Sequence, residues 1–185
     1  EDTPIGVDFL EYIQLKDTIL DINILPNRGD CQSIYGLARE ISALLNKPLK
    51  KPTLALKESK QKSKITITLS NPSDCPLYTG RIIKGISRPK SPLWLQRRLE
   101  LSGIRPLDII VDITNYVLLE LGQPLHAFDL NDIKDTTIIV RNAKKNESFQ
   151  TLDDQTHSLK NHTLVISDPK KSLALAGIMG GKNSE

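Results

Sequence analysis

Aromatic residues are scarce in this chain, at 4% of 185 residues with a single tryptophan, so leucine and isoleucine must supply most of any core. Cysteine is almost absent. Cys31 and Cys75 stand far apart and outside any Cys-x-x-Cys pattern, which argues against a disulfide framework or a zinc site and predicts reduced thiols. No apolar run approaches the length needed to cross a bilayer. The acidic start "EDTPIGVDF" holds no apolar signal segment, so secretion is not expected. There is no P-loop, no Gly-x-Gly-x-x-Gly after a strand, no His-x-x-x-His and no Gly-x-Ser-x-Gly. The glycine-rich "GIMGG" at 177–181 lacks the Lys-Ser/Thr of a nucleotide loop. These absences remove the common nucleotide, metal and serine-hydrolase sites, but not a site built from turns and backbone groups.

What remains is the composition of a soluble globular protein, 38% hydrophobic and 25% charged, long enough for one sizeable core or a core plus a smaller helical unit. The formal charge of +3 is unevenly spread. Residues 1–30 are rich in Asp and Glu, whereas "KPLKKPTLALKESKQKSK" at 47–64 is rich in lysine. That stretch has no helical period and carries two prolines, so it reads as a linker over 51–63 between a small unit at 1–50 and a larger one at 64–185.

Periodicity supplies the elements. "ILDINIL" at 19–25 alternates like a strand, and "PNRGD" follows as a turn. "CQSIYGLAREISALLN" places Ile34, Leu37, Ala38, Ile41, Leu44 and Leu45 on one helical face, with Asp30 as a cap and Asn46 before Lys-Pro as a stop. "KITITLS" at 64–70 and "LYTGRIIKGI" at 77–86 read as strands. "SPLWLQRRLELSGI" reads as a helix with Ser91 as N-cap, Pro92 at its first position and Gly103 past its end. "DIIVDITNYVLLELG" is ambiguous: its β-branched content favours a strand, its length between Asp108 and Gly122 a buried helix. "TTIIVRNA", "ESFQTL", "HTLVISD" and "SLALAGIMGG" read as short strands. The order predicts an α+β fold: a small helical unit, then a mixed, mostly antiparallel sheet domain with two adjacent helices.

Of the three histidines, His126 lies in "GQPLHAFD" just past a turn, and His157 and His162 lie in polar segments where solvation is expected. A lone histidine among apolar neighbours is more often structural than functional. Arg105 in "SGIRPLD" reads more readily as a surface or capping arginine than as a binding one. Asn115 sits inside an apolar run, where its amide needs partners if buried. Gly177, Gly180 and Gly181 serve either a tight turn or a close approach of backbone to a ligand. On these residues alone the chain is a generic α+β domain with His126 packed away from any cleft.

Three blocks carry a resemblance. "PNRGDCQSIYGLAREISALL", "SPLWLQRRLELSGIRPLDIIVDITNYVLLELGQPLHAFDL" and "LALAGIMGG", in this order, resemble the β subunits of bacterial phenylalanyl-tRNA synthetases over nearly the whole chain. The resemblance implies an excerpt: the second half of a small helical domain, then the N-terminal part of the tRNA-proofreading (editing) domain. Such subunits act with a catalytic α subunit in a cytoplasmic α2β2 tetramer that uses ATP and magnesium to join phenylalanine to its tRNA. No cofactor is implied for this region, and no membrane.

The editing domain of that family hydrolyses tyrosine wrongly joined to the phenylalanine tRNA. An apolar pocket rejects an added hydroxyl only by roughly a hundredfold, so a second site that hydrogen-bonds the hydroxyl is needed. Carried over by position, the editing pocket falls on Arg105 and Asn115, to place the terminal adenosine or a water; on His126, to hold the attacking water or the ester; and on Gly180, for backbone room and an N–H. The family pattern adds an acidic residue and a Thr-x-Ala segment beyond Glu185, so an incomplete pocket is expected in this excerpt. The alternative expectation is a non-catalytic structural and tRNA-docking module, for which the lysine-rich segment speaks.

Overall fold

A computed structural model describes residues 4–13, 15–56, 58–62, 64–87 and 90–184. Lys57 and Ser63 of the expected linker lie outside the described residues. The chain forms two compact units, each made of two segments: 1–55 with 86–127, and 56–85 with 128–185.

The first unit is helical. A short turn of helix, α1 (Phe9–Tyr12), is capped by Asp8, whose carboxylate accepts the Glu11 N–H. Helix α2 (Ile34–Leu44) forms where the apolar spacing predicts. Its cap is Ser33, whose Oγ accepts the Gly36 N–H at 3.0 Å, and not Asp30. Asp30 lies in a 3-10 turn, Gly29–Cys31, and there takes a guanidinium hydrogen bond from Arg28, which also holds Glu40 at 2.7 Å. Asn46 adopts φ +49 just past the helix, the stop that its position predicts. Residues 19–25 are a correction: "ILDINIL" is no strand. Alternation makes one apolar face, but a strand also needs a neighbour for its backbone hydrogen bonds. Here Ile19 and Leu20 are exposed at 64% and 73%.

Helices α3 (Leu93–Leu101) and α4 (Ile109–Leu121) complete this unit. Pro92, not Ser91, takes the N-cap position of α3, with no side-chain cap bond. The end of α3 is a Schellman motif around Gly103 at φ +80: the Ile104 N–H reaches the Leu99 carbonyl and the Gly103 N–H that of Glu100, both at 2.9 Å. The ambiguous apolar run resolves as the helix α4. Asp108 caps it by accepting the N–H groups of Ile110 and Val111, and Gly122 ends it at φ +73. A Cβ on Gly122 would also stand 3.3 Å from that of Ser33, so glycine lets the end of α4 meet the start of α2. Leu95 and Leu99 are the most deeply buried side chains of α3.

The second unit is a mixed sheet. Strands β1 (Thr66–Leu69), β2 (Thr137–Asn142), β5 (Leu164–Ser167), β6 (Ser172–Leu175) and β7 (Met179–Gly180) lie in the order β1-β2-β5-β6-β7. Among the described residues only the β1–β2 pair is parallel. Strands β3 (Glu147–Gln150) and β4 (Thr156–Leu159) form a separate antiparallel hairpin. The fold class is α+β, as expected. Ile138, Val140, Ile166, Leu173 and Ala174 pack with Ile133 into one core. Val165 and Leu175 turn to the other face, where they meet Phe149 and Leu159 of the hairpin. Residues 77–86 are a second correction. They form no strand, and Leu77 and Ile83 are exposed at 76% and 71%. The segment 156–159, read from sequence as part of a polar turn, is β4; three of its four residues are exposed, so it shows no apolar face. His157 and His162 are exposed, as expected.

Candidate functional site

The candidate residues fall in two places. Arg105, Asn115 and His126 belong to the helical unit, on the continuous path from the α3–α4 connection through α4 to the turn beyond it. Gly180 belongs to the sheet unit, in β7.

The α3–α4 frame is held by polar side chains as well as leucines. Arg98 stacks over Trp94 and Tyr116, 5.5 Å and 5.9 Å from their ring centres, and donates to the Tyr116 hydroxyl at 2.7 Å. Trp94 and Tyr116 meet edge to face with ring centres 5.5 Å apart. The Tyr116 hydroxyl in turn donates to Glu120 at 3.2 Å. At the other end of the pair, Asp112 is 1% exposed and is among the largest fully buried side chains of the molecule. Its carboxylate accepts the Ser91 hydroxyl at 2.5 Å and the Leu107 N–H at 2.8 Å. Ser91 therefore serves Asp112 and not the end of α3. Its own carbonyl accepts the Gln96 side chain at 2.6 Å. The signal for Asp112 was present in the sequence as a carboxylate inside "IIVDIT", but its partners lie 21 and 5 residues away and no local rule names them.

On this frame Arg105 presents an exposed guanidinium from the connection. Asn115 lies one turn beyond Asp112 on α4 and is half-buried. His126 follows the Gln123-Pro124 turn. It reaches solvent, which overturns the expectation of a buried structural histidine, yet enough protein surrounds the imidazole that desolvation lowers its pKa below the ordinary 6.5. The neutral ring is favoured near pH 7, and a neutral imidazole carries one nitrogen of acceptor type and one that donates.

Gly180 is buried, pairs with Ala174 of β6, and offers its carbonyl to the Leu152 N–H at 3.2 Å. Its neighbour Gly181 is required by packing. A Cβ there would fall 2.6 Å from the Phe149 ring and 2.7 Å from the Leu173 carbonyl. Gly177 turns the chain between β6 and β7 at φ +72. For Gly177 and Gly181 the turn and close-packing account holds. The sheet unit also carries an ion pair unsignalled by sequence: Arg141 of β2 grips Glu147 of β3 through two hydrogen bonds of 2.9 Å and 3.0 Å, with Ser172 donating to the same carboxylate.

The family model of the B3/4 domain matches residues 74–185, more than half of the chain. The chain belongs to the B3/4-domain family. The match spans α3, α4 and every strand except β1. Over its whole length the chain is 49% identical to the phenylalanine–tRNA ligase β subunit of Oleidesulfovibrio alaskensis and 47% identical to that of Geobacillus kaustophilus. That of Geobacter sulfurreducens is again 49% identical. The chain spans 23% of the length of each of these relatives. An N-terminal fragment of the phenylalanyl-tRNA synthetase β subunit of Pyrococcus horikoshii aligns with a TM-score of 0.45 at 18% identity, over 85% of this chain and 48% of that one. The resemblance drawn from the three motif blocks is thus matched by sequence identity that extends across the B3/4 region and the helical segment before it.

Proposed function

We propose that this B3/4 chain is the editing portion of a phenylalanine–tRNA ligase β subunit and hydrolyses tyrosine mis-joined to the phenylalanine tRNA. The observation that carries the reading is near-half identity to such β subunits along the entire chain, B3/4 region included. The arrangement of the helical unit supports it. Arg105 leaves a guanidinium in solvent, suited to a phosphate or a terminal ribose. Asn115 supplies an amide that both donates and accepts. His126, favoured neutral, accepts a proton of the attacking water and so aims its oxygen at the ester carbonyl. The new C–O bond forms as the carbonyl becomes a tetrahedral oxyanion. Its collapse breaks the bond to the ribose oxygen, which takes up a proton, and tyrosine and free tRNA leave. An aminoacyl ester is reactive enough that orientation of water suffices without a covalent nucleophile. Gly180, carried over from the family pattern, is buried in the sheet unit and is given no step here. A pocket that bonds the tyrosine hydroxyl would reject phenylalanine, which leaves its buried polar groups unpaired at about 1–3 kcal/mol each.

In this reading the chain works with a catalytic α subunit in an α2β2 enzyme of the cytoplasm. ATP and magnesium serve the joining of phenylalanine elsewhere in that enzyme, and no editing step passes through them. The test is deacylation of tyrosyl-tRNA by the complete synthetase. Asn115→Ala and His126→Ala each slow it while phenylalanine joining persists; unchanged deacylation in both variants refutes the site. A second reading, a tRNA-docking module without chemistry, draws on the lysine-rich stretch, whose Lys50, Lys51, Lys60, Lys62 and Lys64 all stand exposed on chain without regular structure. It predicts tRNA binding by this region that weakens steeply with salt, with no contribution to hydrolysis.

A further inference from the structure

Asp112 is a buried carboxylate to which the proposed reaction gives no part. The backbone on either side of Arg105 explains what it does. Before Arg105, the Ile104 N–H is fixed to the Leu99 carbonyl by the Schellman end of α3. After it, Pro106 locks its own φ, and the Leu107 N–H is fixed to Asp112 Oδ1 at 2.8 Å. Only Arg105 and Pro106 lie between the two anchors. Oδ2 of the same carboxylate takes the Ser91 hydroxyl at 2.5 Å, which ties the entry of α3 to the first turn of α4. The carboxylate also sits at the N-terminal end of α4, where the helix dipole favours a negative charge.

We infer that Asp112 is a positioning residue for Arg105: through the Leu107 N–H it sets where the connection holds the guanidinium that receives substrate. This rests on the reading of Arg105 as part of the editing pocket. Asp112 touches neither substrate nor water in this account. It works because a side chain as long as arginine aims only as well as its Cα is held, and a displacement of about 1 Å at a reacting site costs on the order of a hundredfold in rate.

The experiment uses the complete αβ synthetase with Arg105→Ala, Asp112→Ala, Asp112→Asn and the double variant Arg105→Ala/Asp112→Ala. Each is assayed for tyrosyl-tRNA deacylation and for hydrogen exchange of the amides in 103–108. Asp112→Ala speeds exchange in 103–108 and lowers kcat/KM for deacylation by about ten- to a hundredfold, while phenylalanine joining persists. Asp112→Asn, which keeps an oxygen for Leu107, recovers most of the loss. The double variant is no slower than Arg105→Ala alone, because both act through one guanidinium. Unchanged exchange in 103–108, or additive losses in the double variant, overturns the inference and leaves the editing reading standing. Faster exchange in Asp112→Ala, with Arg105→Ala deacylating like the parent, overturns the assignment of Arg105 and the inference that rests on it. Should Asp112→Ala fail to assemble, Asp112→Ser, too short to span both partners, takes its place with the same outcomes.

Discussion

Replacing Glu147 with glutamine tests how the hairpin β3–β4 is held to the main sheet. Arg141 meets both carboxylate oxygens, Ser172 donates at 2.5 Å and the Lys144 N–H at 2.8 Å, with the two side chains only 21% and 16% exposed. The Arg141 guanidinium, with help from Ser172 and Lys144, lowers the Glu147 pKa from 4.5 to about 2. A group so lowered contributes stability that is complete above its unfolded pKa and disappears as pH falls toward the folded one. With a modest allowance for solvent, the contribution at neutral pH is about 2–3 kcal/mol. Glu147→Gln keeps the shape and removes the charge. Urea unfolding followed by circular dichroism at a series of pH values should show the variant less stable by that amount near neutrality, and the gap should narrow steadily as pH falls from about 5 toward 2. A gap that is the same at every pH, or absent at neutral pH, refutes the assignment of the stability to this ion pair.

Three further outcomes follow from packing and titration. Leu99→Ala empties a site that is 0% exposed in the helical unit and should cost about 2–5 kcal/mol in denaturant unfolding; a cost under about 1 kcal/mol would mean the site collapses freely. Gly181→Ala drives a methyl into the Phe149 ring and the Leu173 carbonyl and should destabilise by about 1–3 kcal/mol, measurable as a lowered Tm, which an unchanged Tm would contradict. Because burial lowers the His126 pKa, its neutral form persists below pH 6.5, so tyrosyl-tRNA deacylation that needs the neutral ring should fall on the acid side with a midpoint under 6.5. The same midpoint in His126→Ala would assign that limb to another group.

Much of this protein is written locally. The spacing of Ile34, Leu37 and Ile41 makes α2, Asp108 and Gly122 bracket α4, and Gly103 closes α3, because helices and their ends depend on residues within a turn or two. The motif blocks likewise told the family before any coordinate did. Tertiary structure decided whatever depends on a distant partner. "ILDINIL" and "LYTGRIIKGI" have the pattern of strands without neighbours to bond them, whereas Thr156–Leu159 lacks the pattern and is a strand because β3 lies beside it. Ser33, next to Ile34, caps α2 while Arg28 engages Asp30 in the preceding turn, and the Ser91 hydroxyl goes to the buried Asp112 and not to the end of α3. For the candidate site, the sequence chose Arg105, Asn115, His126 and Gly180. The fold put three of them on one helical frame and Gly180 in the sheet unit. It also exposed His126 and revealed the carboxylate that fixes the connection carrying Arg105, since burial and hydrogen-bond partners arise only when segments far apart in the chain pack together.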